Sequence, residues 1–238
     1  MIATGGKSVY GAALGILMLE ARFPRIPGDM GNAITWPFPV HYRVVPGASP
    51  DKVVRKEAAG LLDAFIDAGR DLVRHGADGI TTNCGFLSLF QDELAAALNV
   101  PVATSSLMQV PMIERLLPPG RRVGILTVNA ETLTATHLQA AGIDPSTPIV
   151  GTEAGTEFTR VILDDELEMD VDAARRDNVE AAIRLCADDN DIGAIILECT
   201  NMIPYAADIR LATGLPVYSM YSFAVWFQSG LTPRQFAS

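Results

Sequence analysis

Residues 78–102, DGITTNCGFLSLFQDELAAALNVPV, and residues 193–217, GAIILECTNMIPYAADIRLATGLPV, share one layout. Each has an apolar run, a cysteine, a helical pattern and a Pro-Val, with 17 residues from Cys84 to Pro101 and 17 from Cys199 to Pro216. Upstream, Gly15-Ile16-Leu17 and Gly124-Ile125-Leu126 open two further apolar runs, 69 and 75 residues before the respective cysteines. A duplicated lobe with one thiol per copy is the simplest reading. If the lobes face each other, the thiols bracket a small molecule from opposite sides.

Short apolar runs alternate with longer helical periodicities along all 238 residues, which predicts an α/β fold of mostly parallel strands flanked by helices. Strands are expected near 14–19, 78–83, 101–105, 122–128, 148–152, 193–198 and 216–218, and helices over 51–75, 86–98, 107–117, 131–141, 171–187, 203–212 and 220–228. The chain then divides into a first lobe, 1–113, and a second, 114–219, each of about 110 residues, an ordinary size for one core. The stretch 220–238 is expected to pack back on the first lobe, with the active site in the cleft between the two.

Residues 20–49, EARFPRIPGDMGNAITWPFPVHYRVVPGAS, have no counterpart in the repeat and are rich in Pro, Gly and aromatics. A long aperiodic segment in a compact protein is often functional, here as a wall or lid of the cleft, or else an ordered crossover.

The formal net charge of −10 argues against binding nucleic acid or an anionic membrane, both of which need a basic face. No segment is long and apolar enough to span a bilayer. Three cysteines, at 84, 186 and 199, do not form a disulfide framework and suit a reducing, cytoplasmic setting.

Each repeated cysteine ends a strand and precedes a helix, at the carboxyl edge where open parallel sheets bind ligands. A helix amino terminus favours the thiolate, and its free N–H groups can hold a substrate carboxylate. Thr82, Asn83 and Gly85 flank Cys84, and Thr200 and Asn201 follow Cys199. Their small polar groups fix a small acid without adding charge. One thiolate can remove a proton from the carbon next to a carboxylate while the other thiol returns one from the opposite face. A lone cysteine more often fills space, and Cys186, on a helix without a repeat partner, is read that way.

Other chemistries find little support. Gly6-Lys7-Ser8 lacks the glycine and preceding strand of a phosphate-binding loop, and no GxGxxG follows a strand. Pyridoxal phosphate needs a Schiff-base lysine, whereas Lys7, Lys52 and Lys56 are the only lysines and the last two begin an exposed helix. His41, His75 and His137 share no metal-ligand spacing with the cysteines. No cofactor or metal is expected. The acidic run from Asp164 to Asp172 reads as a solvated helix junction.

TTNCGF at 81–86 and LECTNM at 197–202 resemble the paired cysteine motifs of the aspartate/glutamate racemase superfamily, over most of the chain. The resemblance implies two pseudo-symmetric α/β lobes, no cofactor, a homodimer, and Cys84 and Cys199 as the acid/base pair. It implies that Asn83, Thr200 and nearby backbone bind the substrate carboxylate, and that Thr127 and Asn129 line the cleft from the second lobe. The Asp-Ser pair after the first strand of glutamate racemases is replaced here by Glu20-Ala21-Arg22, and their histidine after the second cysteine by Asn201. PGD at 27–29, VVPG at 44–47, NCGF at 83–86, the SSL and Gln109 segment, ECT at 198–200 and PYAADIRLATGLPVY at 204–218 are similar to the branch that includes algal dimethylsulfoniopropionate lyase.

The leading expectation is therefore a cofactor-independent amino-acid racemase of the aspartate/glutamate type. The alternatives are a lyase on a β-substituted carboxylate such as dimethylsulfoniopropionate, a related decarboxylase or isomerase, and a catalytically silent binding protein. A sulfonium substrate wants aromatic faces, for which Trp36, Phe38, Tyr42 and Phe86 are candidates; an amino acid wants an ammonium acceptor, for which Asp29, Glu198 and Gln109 are candidates.

Overall fold

The computed structural model describes residues 2–236; Met1 and residues 237–238, the extreme ends of the expected first lobe and C-terminal stretch, lie outside the described residues. Two four-stranded parallel sheets form the frame. The first contains β1 (Leu14–Leu19), β2 (Val40–Val45), β3 (Gly79–Thr82) and β4 (Val102–Ala103) in the order β2-β1-β3-β4. The second contains β5 (Arg122–Thr127), β6 (Ile149–Gly151), β7 (Ile192–Leu197) and β8 (Val217–Tyr218) in the matching order β6-β5-β7-β8. Ile16 lies opposite both Tyr42 and Thr81, as Leu126 lies opposite both Val150 and Leu197. The LGILML run of β1 is buried at all six positions, as a central parallel strand covered on both faces must be.

The helices are α1 (Leu62–His75), α2 (Gln91–Leu98), α3 (Val110–Glu114), α4 (Ala135–Ala140), α5 (Phe158–Leu163), α6 (Val171–Asp188), α7 (Ala206–Thr213) and α8 (Met220–Leu231). The two GIL glycines do the same work in each lobe. A Cβ on Gly15 would lie 3.1 Å from Leu72 of α1, and one on Gly124 would lie 2.8 Å from Leu185 of α6. Their absence of side chain lets one helix settle on each central strand. The ends of α2 and α7 also match: Asn99 and Gly214, each two residues before the Pro-Val, adopt left-handed backbone at φ 54° and 72°, a geometry suited to these two residue types. Asp170 caps α6 by accepting from Asp172 and Ala173 N–H, both at 3.0 Å. Against β3, a Cβ on Gly79 would meet Leu231 and Phe227 of α8.

Three expectations need correction. The segment 20–49 is not aperiodic throughout, since Val40–Val45 pairs in parallel with β1 as an edge strand. The helix expected over 51–75 is broken: a wide turn at Asp51–Arg55 gives way to left-handed Glu57 and Ala58 before α1 starts at Leu62. The segment between β6 and α6 contains α5, which no strong periodicity announced. Buried Asp177 receives the N–H groups of Thr156, Glu157 and Phe158 at 3.2, 2.7 and 2.9 Å, and so pins the start of α5 to α6.

Candidate active site

The order 2-1-3-4 places a topological switch between the first and third strand of each sheet, where open α/β sheets bind ligands beyond the strand ends. Cys84 and Cys199 stand just past β3 and β7. Each is the residue before a short 3-10 turn, Gly85–Phe90 and Thr200–Tyr205, and their carbonyls accept the first turn bonds, from Leu87 and Met202 N–H, both at 3.1 Å. The turn geometry therefore leaves the N–H groups of Gly85 and Thr200 without a partner inside their own turns, while the Phe86 N–H favours the ionised forms of Cys84 and Glu198 and the Asn201 N–H that of Cys199.

Both cysteines line one narrow cleft between the sheets. The first sheet's side contributes Leu19, Phe23, Pro50, Val54, Asn83 and Phe86; the second contributes Val128, Ile162, Glu198 and Asn201. Phe23 and Pro50 come from the segment leading into and out of β2, so this insertion is one wall. Asp165, φ 55°, holds that wall by accepting from the N–H groups of Arg22 and Phe23 at 2.6 and 3.1 Å. The acidic run expected to be merely solvated thus contains an anchor.

Three bonds knit the cysteine loops. Asn83 Oδ1 accepts from Leu19 N–H at 2.7 Å, and Thr200 Oγ1 donates to Asn83 O at 2.5 Å. Asn201 Nδ2 donates to Asp29 Oδ2 at 2.6 Å while its Oδ1 faces the Cys199 thiol at 3.5 Å. Asp29 is itself buried, paired with Arg25 at 2.8 Å and bonded to Gly31 N–H at 2.7 Å.

Burial pushes the Cys84 thiol far up, with the nearby Glu198 carboxylate adding to it; Cys199 is raised by the same two causes in the same order. Both are therefore held as neutral thiols, and a cation beside them favours ionisation. Glu198 is fully buried and pushed up to about 8 by desolvation, opposed by the Thr127 hydroxyl and the Phe86 N–H. Thr127 Oγ1 donates to its Oε2 at 2.7 Å, and no donor meets Oε1 in hydrogen-bonding geometry among the described residues.

The structure brings Cys84, Cys199, Asn83 and Asn201 together at the cleft. Gly85 and Thr200 flank the cysteines, and Thr127 reaches the cleft only through Glu198. A Cβ on Gly85 would lie 2.3 Å from Glu198 Oε1, so this glycine makes room for a carboxyl of the opposite lobe. Asn129, Gln109 and Tyr42 are not among the lining residues. Asn129 Oδ1 accepts from Thr132 N–H at 3.2 Å, closing a local turn. Gln109 Nε2 donates to Ser106 O and Ser219 O at 3.3 and 3.1 Å. Tyr42 donates to Met30 O at 2.7 Å and accepts from Trp36 at 2.9 Å. Trp36 stacks on Phe38 and Tyr221, both at 5.8 Å, in a cluster on the far face of β1, away from the thiols. Of the aromatics considered beforehand, Phe86 alone lines the cleft; Phe23, which nothing in its local sequence singled out, joins it.

Among the described residues, no helix is long and apolar enough to cross a membrane. Nor do three His, Cys, Asp or Glu side chains cluster as metal ligands there.

The family model for Asp/Glu/hydantoin racemases matches residues 48–227. The chain is 31% identical over 232 residues to a dimethylsulfoniopropionate lyase of Durusdinium sp. clade D, covering 92% of this chain and 75% of that protein. It is 32% identical over 217 residues to dimethylsulfoniopropionate lyase 7 of Emiliania huxleyi (strain CCMP1516), covering 87% of this chain and 63% of that protein, so it spans less than two thirds of the latter. Among solved structures, allantoin racemase from Klebsiella pneumoniae superposes with a TM-score of 0.61 at 20% identity, covering 92% of this chain and 87% of that one; that likeness concerns the fold.

Proposed function

The chain belongs to the aspartate/glutamate/hydantoin racemase family, and from that premise we propose that it is a cofactor-independent lyase on a β-sulfonium carboxylate of the dimethylsulfoniopropionate type. The observation that carries this reading is the lining of the cleft. Leu19, Phe23, Val54, Phe86, Val128 and Ile162 surround the two thiols, an environment fit for the methyl groups of a sulfonium and for two aromatic faces beside its charge. Asp29, a candidate ammonium acceptor, is already committed to Arg25, Gly31 and Asn201. The identity to two dimethylsulfoniopropionate lyases over about nine tenths of the chain points the same way.

In the proposed reaction a thiolate takes the proton from the carbon next to the carboxylate. The freed electron pair forms the carbon–carbon double bond, the carbon–sulfur bond breaks, and dimethyl sulfide departs with the bonding pair. Acrylate, dimethyl sulfide and one proton, initially on the thiol, balance the substrate. The first N–H of each 3-10 turn, from Gly85 and Thr200, is offered to the carboxylate, and the sulfonium charge favours ionisation of a thiol that burial otherwise keeps neutral.

Racemisation of an amino acid is the second reading. The matched placement of Cys84 and Cys199 past equivalent strands favours it, since two opposed thiols suit proton removal from one face and return to the other. Proton NMR in D₂O with dimethylsulfoniopropionate and both enantiomers of aspartate and glutamate separates the two. Acrylate and dimethyl sulfide signals support the lyase; loss of an amino acid's α-proton signal with appearance of its mirror form, and no acrylate, replaces it by the racemase.

A further inference from the structure

Glu198 is the one buried carboxyl of the cleft that is half used. Its side chain is buried, one oxygen is satisfied by Thr127, and the other, Oε1, meets no partner in hydrogen-bonding geometry among the described residues, the nearby Phe86 N–H only opposing the rise of its pKa. Leaving a buried polar atom unpaired is costly unless a ligand completes it. Gly85 is what admits this carboxyl between the two cysteine loops, since a Cβ there would collide with Oε1.

We propose that Glu198 carries a proton on Oε1 and donates it in a hydrogen bond to the substrate's carboxylate. This inference rests on the reading of the site as one that acts next to a carboxylate, and holds for either outcome at the sulfonium or amino-acid end. Removing a proton from the carbon beside a carboxylate pushes further negative charge onto a group that already has one. A neutral O–H donor stabilises that charge as it develops, in a dry site where such bonds are strongest. An ionised Glu198 would instead repel both the carboxylate and the thiolate. Burial holds its proton to about pH 8, which agrees with the donor role; an apolar site can keep a carboxylic acid neutral for this purpose. The ionisable groups around it are Cys84 after β3, Cys199 after β7 and the Arg25–Asp29 pair on the wall, with His137 of α4 behind Phe86 at 5.1 Å between rings.

The test uses propionate, a carboxylate without a leaving group, so that binding is read independently of turnover. Calorimetric titrations in buffers of different ionisation enthalpy measure the affinity and the protons taken up. For the wild-type protein the affinity should fall about tenfold per pH unit above pH 8, with net proton uptake on binding there. Glu198→Gln, whose amide can donate from the same position, should bind within about threefold of wild type at pH 7 but show neither the fall nor the uptake. Glu198→Leu, which fills the space without a donor, should bind at least tenfold more weakly. Absence of saturable propionate binding to the wild type, or a fall and uptake that persist unchanged in Glu198→Gln, would overturn the assignment. A protein that passes this test yet releases no acrylate from dimethylsulfoniopropionate would overturn the lyase reading alone.

Discussion

Thr200 donates its hydroxyl to the main-chain oxygen of Asn83 at 2.5 Å, so the residue after the second cysteine is bonded to the residue before the first. Because Asn83 Oδ1 also accepts from Leu19 N–H, the ends of β1, β3 and β7 share one buried network. The distance between the thiols is therefore set by hydrogen bonds and not by packing alone.

Thr200→Val keeps the shape but leaves Asn83 O unpaired, which costs about 1–3 kcal/mol for a buried acceptor. Turnover should fall at least about tenfold, because displacing a reacting group by a fraction of an ångström is severe in a positioned site. Thr200→Ser restores the donor and should recover most of the activity. Denaturant melts alongside initial rates check both; equal activity of the Val and Ser variants would show that the network does not set the thiols.

Cys84→Ser and Cys199→Ser should each reduce turnover by about 10²-fold or more with the fold intact, because a hydroxyl is a far weaker base and acid than a thiol at this site. Cys186, half-buried on α6 and outside the cleft, should tolerate Ser with turnover within about twofold of wild type. Rates measured after exhaustive chelation and without added pyridoxal phosphate should match the untreated protein. Near wild-type turnover in either cleft variant would remove the paired-thiol mechanism.

Much of this site was legible because the repeat is local. The matched spacing of Cys84–Pro101 and Cys199–Pro216 captures strand, turn, helix and cap in a single window, and Asn99 and Gly214 mark the same helix end by their backbone freedom. What escaped depends on partners far along the chain. VHYRVV at 40–45 is only partly buried and becomes a strand through pairing with β1, which its Pro-rich neighbourhood hides. Glu198 and Thr127 are 71 residues apart, and the space that Gly85 leaves for Glu198 comes from the other lobe. Tyr42 and Trp36 looked available to a ligand as aromatics, but the far face of β1 needed them as core.

Glu198 also sets a pH dependence of stability. Its pKa is about 8 in the folded protein and near 4.3 in an unfolded chain. Between these values the folded state holds a proton that the unfolded state has lost, so stability falls as pH rises through this window, by about 1.4 kcal/mol per unit. Glu198→Gln has no such term. Urea midpoints of the two proteins should therefore diverge from pH 5.5 to 8 with the variant the more stable, and stay parallel above; a constant difference would mean that Glu198 is ionised throughout.

Activity should show the same carboxyl with the opposite consequence. The reactive form needs Glu198 protonated and a thiol ionised, and the thiol's pKa lies above that of Glu198. The fraction of protein in that form rises tenfold per pH unit up to about pH 8, is level between the two values, and falls only above the thiol's. The bend near 8 thus belongs to the acid even though it limits the rising side. In Glu198→Gln the amide donates at every pH, so log kcat/KM should climb with unit slope straight through pH 8 until the thiol itself is ionised. Profiles of the two proteins over pH 6–10 decide the point, since a bend at 8 that survives the substitution would assign it to a cysteine.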